Sequence, residues 1–488
     1  KNTYNSSETT GYDFSLKGVP SFDAISGNKS ITSYKSEILA KNYFGILYFD
    51  YKDKYIFDGM ARYDGSSLFG ADARWNPYFR VSGAYRISED FKIPGIQELK
   101  IRAAYGTAGQ RPEFADQYEV MQISGGNVSK SQFGNSKLKP SLSKEWEAGL
   151  TVDFLNRFGL EISRSETNTT DQILTIPLAV QYGGWPNQVQ NAGTLNSKVW
   201  EATLNARIVK TKAISYDINM IFDRIRTKIT ELDAPPFQTG PQGQEANKCF
   251  YIRKGETLGA MYGYKFVKTI DEMQSQLAQG DKIDNYCVNS DGYVIVKGTE
   301  GTIYEAPVKK LDETGKLWFG KIGDSNPKFK LGMTHTFTFK GLGIYALLEW
   351  KNGGDIYNKS AQWLTRDDRH GMMDQYGKPD YLKKTIEYYK VFYDVNNFNE
   401  FWVEDGSYLK LREVSISYTI PSSTLDSFAK GFIKGIKVAL IGKNLFTVTN
   451  YSGYDPEVMT TNNVQYFSYD FMGYPNYRSY SASIEFKF

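Results

Sequence analysis

The sequence lacks any long hydrophobic run. Across 488 residues the mean hydropathy is −0.47. The longest apolar stretches, such as residues 344–348, fall far short of the roughly 18 residues that a membrane-spanning helix needs. Helical membrane spans are therefore excluded. Strands that cross a membrane as part of a barrel are not excluded, because only every second side chain of such a strand faces lipid.

The sequence also lacks a charge imbalance and the usual catalytic motifs. Its 58 basic and 55 acidic residues leave a formal charge of +3 with no long run of either sign, so a nucleic-acid partner is not expected. Its two histidines, His335 and His370, lie at no zinc-type spacing from cysteine or carboxylate, and no Gly-x-Ser-x-Gly or phosphate-cradling loop occurs. We predict that the chain is not an enzyme, although a glycosidase pair of carboxylates is not ruled out by composition.

Aromatic residues, in contrast, are abundant and follow a two-residue alternation. Tyr (36), Phe (30) and Trp (8) make up 15% of the chain, which suits strands and the interfacial girdles of a membrane barrel. One parity of residues 74–87 reads Trp, Pro, Phe, Val, Gly, Tyr, Ile, and the other reads Arg, Asn, Tyr, Arg, Ser, Ala, Arg. Residues 480–488 repeat the pattern. The alternation switches near Arg412 and Glu413, where we predict a β-bulge.

The spacing of these segments favours a membrane barrel over a soluble β-sandwich. Sandwich strands recur about every 8 to 12 residues, whereas here strands of about ten residues or more are joined alternately by short and long connections. The long connections are residues 107–143, 167–196, 232–327, 352–407 and 450–478. With the C-terminus in the periplasm, these loops all fall outside the cell. These patterns predict that residues 1–488 have an all-β fold. They would form part of a transmembrane antiparallel β-barrel, with about thirteen or fourteen strands.

The loop 232–327 contains two features that bear on disulfide and metal chemistry. The two cysteines, Cys249 and Cys287, could pair in an oxidising compartment, and two free thiols are the alternative, because their Cα separation cannot be read from sequence. The segment from Asp284 to Asp291 places oxygen-bearing side chains before a Gly, but three residues interrupt it and no Glu follows at the bidentate position. We therefore predict an Asp-Gly turn rather than a Ca²⁺ site, and no cofactor.

Segments throughout the chain resemble the SusC/RagA family of TonB-dependent transporters. They are residues 43–45 (YFG), 51–55 (YKDKY), 64–70 (DGSSLFG), 74–75 (RW), 99–106 (LKIRAAYG), 350–358 (WKNGGDIYN), 404–412 (EDGSYLKLR), 418–421 (YTIP), 444–447 (NLFT) and 451–457 (YSGYDPE). They follow the order in which the family carries them. Two positions depart from the family, since Ile46 and Tyr63 stand where it commonly has Arg.

The resemblance implies a bacterial outer-membrane barrel of about 22 strands with a plug inside it. The plug, the first strands and the TonB-contacting segment would precede Lys1, and this chain would be the C-terminal part of the wall, because its strands alone would leave two unpaired edges in lipid. The chain does not begin with Met, so we expect a processed or cleaved product. The implied partners are a SusD-like surface lipoprotein, TonB through the N-terminal portion, and outer-membrane lipid.

Two long loops contain candidate ligand-binding residues. They are Tyr182 and Trp185 in the loop 167–196, and Trp363, Arg366, Asp367 and Arg369 in the loop 352–407. Flat rings stack on sugars or on peptide side chains, while Arg and Asp form oriented hydrogen bonds. Packing of the loops against each other or against a partner is the alternative. At the C-terminus, Phe488 ends the apolar face of the last strand and resembles the signal that the outer-membrane assembly machinery recognises.

The sequence thus favours import of an oligomeric nutrient, either a glycan or a peptide fragment, captured between the barrel and a SusD-like lipoprotein. Transport and partner are implied by the resemblance. A non-transporting structural subunit or scaffold of an outer-membrane export or assembly complex is one alternative. A porin-like passive channel is weaker, because such channels need no partner lipoprotein and usually have fewer strands.

Overall fold

The computed structural model of the chain describes residues 2–11, 29–69, 74–124, 127–179, 181–240, 248–394, 398–421, 424–425, 432–457 and 468–488. The structural findings below concern these residues. Within these ranges, no helix has the length and apolar character required to cross a membrane.

Strands dominate the structure. In chain order they are β1 (Asn2–Gly11), β2 (Lys29–Ile38), β3 (Ala40–Tyr51), β4 (Tyr55–Ser66), β5 (Trp75–Arg86), β6 (Ile96–Gln110), β7 (Val120–Ser124), β8 (Asn127–Gln132), β9 (Ser141–Phe154), β10 (Phe158–Thr170), β11 (Ile173–Pro177), β12 (Asn187–Asn191), β13 (Gly193–Lys210), β14 (Ile214–Leu232), β15 (Phe237–Thr239), β16 (Phe250–Ile252), β17 (Ala260–Gly263), β18 (Tyr286–Val288), β19 (Val294–Val296), β20 (Gly320–Asp324), β21 (Pro327–Phe339), β22 (Leu342–Gly353), β23 (Asp355–Asn358), β24 (Val403–Asp405), β25 (Tyr408–Ile420), β26 (Gly435–Thr449), β27 (Tyr469–Asp470) and β28 (Ser479–Lys487). The helices are α1 (Ile270–Ser275), α2 (Lys359–Arg366) and α3 (Ile386–Lys390).

Thirteen of these strands form one antiparallel sheet, which we call the wall. Its order is β28-β26-β25-β22-β21-β14-β13-β10-β9-β6-β5-β4-β3. The predicted all-β class and strand number are therefore confirmed. The fourteenth strand that the sequence allowed is not part of the wall, because β1 and β2 pair with each other in a separate hairpin. Within the described residues the wall is an open sheet whose edges are β3 and β28.

The two faces of the wall differ in chemistry. One face carries exposed aromatic side chains, including Phe79, Tyr105, Trp146, Trp200 and Trp350. The other carries ion pairs that cross between strands: Arg80 with Asp58, Arg102 with Glu147 at 3.1 Å, and Arg102 with Glu161 at 2.6 Å. In a membrane barrel the lipid-facing side is apolar and the lumen is polar. The aromatic face is therefore the outer face, and the ion-paired face lines the lumen.

The predicted β-bulge is present at Arg412. On β22, Leu347 pairs with Glu413 and the next residue, Leu348, pairs with Leu411, which leaves Arg412 outside the ladder. The pairing of β25 with β26 shifts at the same place. A bulge re-aims one side chain while the strand continues beyond it. The apolar residues on either side of Arg412 thus stay on the outer face.

The long connections all lie at one end of the wall, which we call the loop end. They are residues 111–140, 171–192, 233–326, 354–407 and 450–478, where the sequence predicted 107–143, 167–196, 232–327, 352–407 and 450–478. The opposite end has tight turns at residues 52–54, 155–157, 211–213 and 340–341. Two connections at that end are longer than the sequence suggested, namely residues 87–95 and 421–434.

Candidate ligand-binding surface at the loop end

The connections 111–140 and 171–192 are joined into one unit, the first loop module. Side-chain amides of one loop bond the backbone of the other. The bonds are Gln188 Nε2 to the Gly134 carbonyl at 2.7 Å, Asn135 Nδ2 to the Val189 carbonyl at 2.9 Å, Asn187 Nδ2 to the Ser131 carbonyl at 3.2 Å and Asn191 Nδ2 to the Lys139 carbonyl at 2.8 Å. These bonds tie the backbone of each loop to side chains of the other, so the two loops support each other.

Trp185 lies inside the first loop module, which corrects the prediction that it is exposed. Its side chain is only 9% exposed, and its ring centroid lies 5.6 Å from that of Phe133. The Lys130 ammonium lies 5.2 Å from the same ring. Trp185 therefore packs the loops together, as the alternative interpretation held. Tyr182 is 55% exposed and remains a candidate for ligand contact.

The connections 233–326, 354–407 and 450–478 form the second loop module, whose core is aromatic. Its buried members are Phe250, Met261, Tyr264, Phe266, Tyr357, Ala361, Tyr388, Tyr389, Phe392, Phe398, Trp402, Tyr469 and Cys249. The Phe266 and Phe392 rings meet edge to face at 5.0 Å, and Phe392 stacks on Phe401 at 3.8 Å. Each buried aromatic ring removes a large apolar area from water. These loops are thus a folded surface with a core of their own.

Of the two alternatives for the cysteines, the structure has two free thiols, because Cys249 and Cys287 are not bonded to each other. Cys249 is fully buried in the aromatic core, and this burial raises the pKa of its thiol well above the usual value. Cys287 lies in the β18–β19 hairpin, where its Sγ is 2.9 Å from Glu300 Oε1. The two side chains therefore have separate surroundings, one apolar and one polar.

The segment 284–292 contributes the turn of the β18–β19 hairpin. Asn289 Oδ1 accepts the backbone N–H groups of Asp291 and Tyr293, both at 3.0 Å, and Gly292 adopts a φ of 81°. This oxygen is therefore used by the chain's own backbone. No group of three or more His, Cys, Asp or Glu residues that could hold a metal ion is found in the part of the chain that the structure describes. The expectation of no Ca²⁺ remains a prediction.

A buried ion pair between Glu305 and Lys384, here called the buried clasp, joins the connections 233–326 and 354–407. The two side chains are 0% and 3% exposed. Glu305 also accepts hydrogen bonds from the Gly301 N–H at 2.6 Å and from Asn289 Nδ2 at 2.8 Å. The Lys384 ammonium lies 5.0 Å from the Tyr388 ring. Both charges are thus compensated inside the module.

The remaining predicted ligand contacts surround α2, at the surface of the second module. Arg366 binds Asp367 through two bonds of 2.7 and 3.0 Å, and its guanidinium lies 4.3 Å from the Trp363 ring. Trp363 is half-buried and packs edge-on against Phe471 at 4.8 Å. Arg369 is exposed. The structure thus brings Trp363, Arg366 and Asp367 together, while Tyr182 and Trp185 belong to the other module.

Lys359 begins α2 as a fully buried cation, and it provides a test of the module. Its Nζ has no hydrogen-bond partner among the described residues and lies 5.1 Å from the Phe398 ring. Burial lowers the pKa of Lys359 to about 8. We expect Lys359→Met to stabilise the second module at pH 7 by about 1–3 kcal/mol, because a buried charge without a partner is replaced by an apolar side chain of similar length.

The lowered pKa of Lys359 makes the stability of the second module depend on pH. Between pH 8 and the ordinary lysine pKa of 10.5, the unfolded chain binds a proton that folded Lys359 has lost, so wild-type stability rises with pH in this window. Lys359→Met should lack that rise. Hydrogen exchange of the module at pH 7 and 9 measures both effects. Lys390→Met on α3, which removes a more exposed cation, is the matched control, and equal protection in both variants would contradict the prediction.

An open cleft of 440 Å³ lies between the two modules. Arg111, Glu113 and Gln132 line it from the first module, and Leu174 and Phe237 contribute apolar surface. The cleft thus offers side chains of both charges beside apolar ones, which suits an oligomer with polar groups along an extended chain. The sequence analysis did not identify these residues. Two of them, Arg111 and Glu113, lie in the run Arg-Pro-Glu directly after β6, but charged residues at strand ends are common.

The connection 450–478 is anchored to the luminal face of the wall by an ion-pair cluster, the wall–loop network. Lys410 binds Asp455 at 2.5 Å and Glu457 at 2.6 Å. Arg412, the bulged residue, binds Glu457 through Nη1 at 2.5 Å and Glu349 through Nε at 2.7 Å. Burial alone would raise the pKa of Glu457, but the two cations hold that pKa down at about 2.

Comparison with known proteins identifies the family. The family model described as TonB dependent receptor-like, beta-barrel matches residues 2–445. TonB-dependent receptor P3 of Formosa agariphila is 26% identical over 94% of this chain and 46% of its own length. TonB-dependent receptor SusC of Bacteroides thetaiotaomicron is 22% identical over 88% of this chain and 42% of its own.

Solved structures agree at the level of fold. The structure of the RagAB peptide transporter matches with a TM-score of 0.73 at 18% identity, covering 99% of this chain and 52% of that chain. The RagAB peptide importer in its open-open state matches with a TM-score of 0.71 at 19% identity, covering 100% and 51%. The chain spans about half the length of these relatives. It belongs to the TonB-dependent receptor-like β-barrel family, as an outer-membrane protein of the SusC/RagA type.

Proposed function

We propose that this chain forms the wall and the extracellular loops of an importer for an oligomeric nutrient, either a peptide or a glycan. The observation that carries the proposal is the cleft between two loop modules, each with its own internal packing. Packing fixes the side chains that line a cleft, so less conformational entropy is lost when a ligand binds. A passive pore has no need of such a surface.

The partners in this proposal follow from the family. An N-terminal portion would supply the plug, the TonB-contacting segment and the strands that cover the edges β3 and β28. A SusD-like lipoprotein would lie over the loop end. One surface suits it, since Ile303, Tyr304 and Tyr381 beside the buried clasp are 62%, 75% and 79% exposed. Tyrosine is enriched at protein interfaces. Assembly through Phe488, which is 65% exposed after β28, remains part of the proposal.

No catalytic step is included in the proposal. His335 lies on β21, where its Nδ1 is 2.9 Å from the Tyr216 hydroxyl. His370 lies in the second loop module, where its Nδ1 accepts the Met372 N–H at 3.2 Å. The two histidines thus serve different local contacts, and the chemistry assigned to the chain is binding.

The proposal is tested by uptake measurements with the full-length protein in its outer membrane. Arg111→Ala combined with Glu113→Ala and Gln132→Ala removes polar contacts in the cleft, and we expect ligand affinity and uptake to fall at least about tenfold, since 1.4 kcal/mol corresponds to tenfold. The matched control is Lys282→Ala combined with Asp284→Ala and Lys297→Ala, three exposed positions of the second module.

The outcomes of this experiment separate the candidate functions. Importer function predicts reduced uptake of peptide or glycan oligomers in the cleft variant and normal uptake in the control. Unchanged uptake in both would remove the cleft from the proposal. An intact strain that shows no energy-dependent uptake of any oligomer, but loses a surface complex when the protein is deleted, would instead support the structural or scaffold function.

A further inference from the structure

The outer face of the wall carries a group of cationic side chains near the loop end, which we call the basic band. Its members are Lys144, Arg164, Lys198, Arg224, Arg226 and Lys228, on β9, β10, β13 and β14. Cross-strand partners in a ladder share one face of the sheet. Arg164 and Arg224 both pair with Trp200, and Lys198 pairs with Arg226. The basic band therefore shares the outer face with the aromatic girdle.

The position of the basic band along the strands sets its depth in the membrane. Trp146 and Trp200 mark the girdle, and Lys144 and Lys198 each lie two residues closer to the loop end on the same strands. The guanidinium of Arg164 lies 5.1 Å from the Trp200 ring. Cations are costly at the middle of a bilayer and nearly free of cost at its interface. The basic band thus lies at the level of the headgroups of the outer leaflet.

Charge is sorted between the two faces in this part of the wall. The luminal face of the same strands carries Glu145, Glu147, Glu161, Glu201 and Asp223. On the outer face, the Glu166 carboxylate lies 3.5 Å from the Lys198 ammonium. Six cations therefore face the membrane beside two carboxylates among the described residues of these strands, Glu166 and, toward the loop end, Glu231, which pairs with Thr194. Arg224 and Lys228 are exposed. Such an excess attracts anionic headgroups.

A pocket adjoins the basic band and extends the same surface. It has a volume of 520 Å³ and is lined by two cations, Arg226 and Lys328, by three carboxylates, Asp324, Asp355 and Asp405, and by Asn326, Asn352 and Ser407. The carboxylate, amide and hydroxyl groups of the pocket suit the hydroxyls of a sugar, while Arg226 at its rim suits a phosphate of the same headgroup. Arg226 is held at the rim, because its guanidinium also donates to the Pro327 carbonyl.

We propose that the basic band and this pocket bind the phosphorylated sugar headgroup of a glycolipid in the outer leaflet. The cations contact the phosphates, the pocket holds a sugar ring, and the acyl chains lie along the girdle below. The lipid would stay bound to the membrane-facing surface of β9, β10, β13 and β14. This inference rests on membership of the outer-membrane family and not on the proposed import.

The experiment uses the full-length protein purified in mild detergent from its outer membrane. Lys198→Gln, Arg224→Gln and Lys228→Gln are combined in one variant, and the matched control combines Lys254→Gln, Lys282→Gln and Lys316→Gln in the loops. Mass spectrometry measures phosphorylated glycolipid per protein molecule. Delipidated protein is then placed in vesicles containing the glycolipid, its dephosphorylated form, or neither, and inorganic phosphate is added as a competitor.

We expect the triple variant to retain at least tenfold less glycolipid than the wild type, with no change in the control. Dephosphorylated glycolipid should bind equally weakly to the wild type and to the triple variant. Inorganic phosphate at the concentration of the glycolipid should not displace the phosphorylated glycolipid from the wild type. The proposal is overturned if the triple variant retains as much glycolipid as the wild type. It is also overturned if the wild type binds the dephosphorylated lipid as strongly as the phosphorylated one. Full displacement by inorganic phosphate also overturns it, in favour of a free-anion site.

Should the triple variant fail the heat-modifiability test of folding, Lys228→Gln alone is compared with the charge-preserving Lys228→Arg. Equal glycolipid retention by these two variants overturns the proposal.

Discussion

Glu305→Ala is expected to destabilise the second loop module by about 3–5 kcal/mol, the cost of leaving a buried cation without its partner. Lys384, whose side chain is 3% exposed, would lose its carboxylate partner. The Gly301 N–H would lose its Glu305 acceptor, and the Asn289 amide would lose one of its two acceptors, keeping the Tyr388 hydroxyl. Hydrogen exchange and limited proteolysis of the full-length protein, followed at residues 283–305 and 380–392, measure the effect.

The neighbouring surface pair provides the control for this prediction. Lys383 and Asp380 are 2.7 Å apart, but their side chains are 46% and 96% exposed. Exposed pairs contribute about 0–1 kcal/mol, so Asp380→Ala should leave protection nearly unchanged. Glu305→Gln should be less damaging than Glu305→Ala, because an amide oxygen can still accept the Gly301 N–H. Equal protection in wild type and Glu305→Ala would show that the clasp does not hold the two connections together.

Glu457→Ala is expected to release the connection 450–478 from the wall. Lys410 would lose one of two carboxylates, and Arg412 would keep Glu349 as its remaining carboxylate partner. Because Lys410 and Arg412 stay in a partly buried site on the luminal face, we expect the free energy that attaches the connection 450–478 to the wall to fall by about 2–4 kcal/mol. Proteolysis of the segment in intact outer membranes measures it. Glu413→Ala is the control, since Glu413 lies 3.6 Å from a 57% exposed Lys443.

The same carboxylate predicts a pH dependence. A carboxyl group whose pKa is depressed by folding stabilises the native state above its ordinary pKa of 4.5, and this contribution is lost as the pH falls through the folded value of about 2. Wild-type attachment of the segment should therefore persist at pH 4 and weaken progressively toward pH 2. Glu457→Gln, which has no such titration, should show the same accessibility to an acid-active protease at both pH values. A wild-type segment already released at pH 4 would contradict this account.

The wall could be predicted from the sequence because its signal is local. A strand with lipid on one side and water on the other alternates every second residue, and the loss of that alternation near Arg412 gave the position of the bulge. The family resemblance then supplied what alternation could not, namely the expectation of a larger barrel around these strands.

The loop end could not be predicted in the same way, because its packing depends on residues far apart in the chain. Phe266 meets Phe392, and Glu305 meets Lys384, with no periodic pattern to reveal either pair. Trp185 illustrates the difficulty, since a loop tryptophan can face a ligand or a neighbouring loop, and here it faces Phe133. The cysteines likewise share one connection, yet only the fold shows that their surroundings differ.

The bulge at Arg412 has a consequence for how such a wall can diversify. In a regular strand, every change of length reverses the orientation of all side chains beyond it, so membrane side and luminal side must vary together. Arg412 lies outside the ladder, so this residue is not subject to that constraint. It is also the residue that forms ion pairs with Glu349 and Glu457. One of the two cations that attach the connection 450–478 can therefore change while the membrane-facing surface of β25 keeps its pattern.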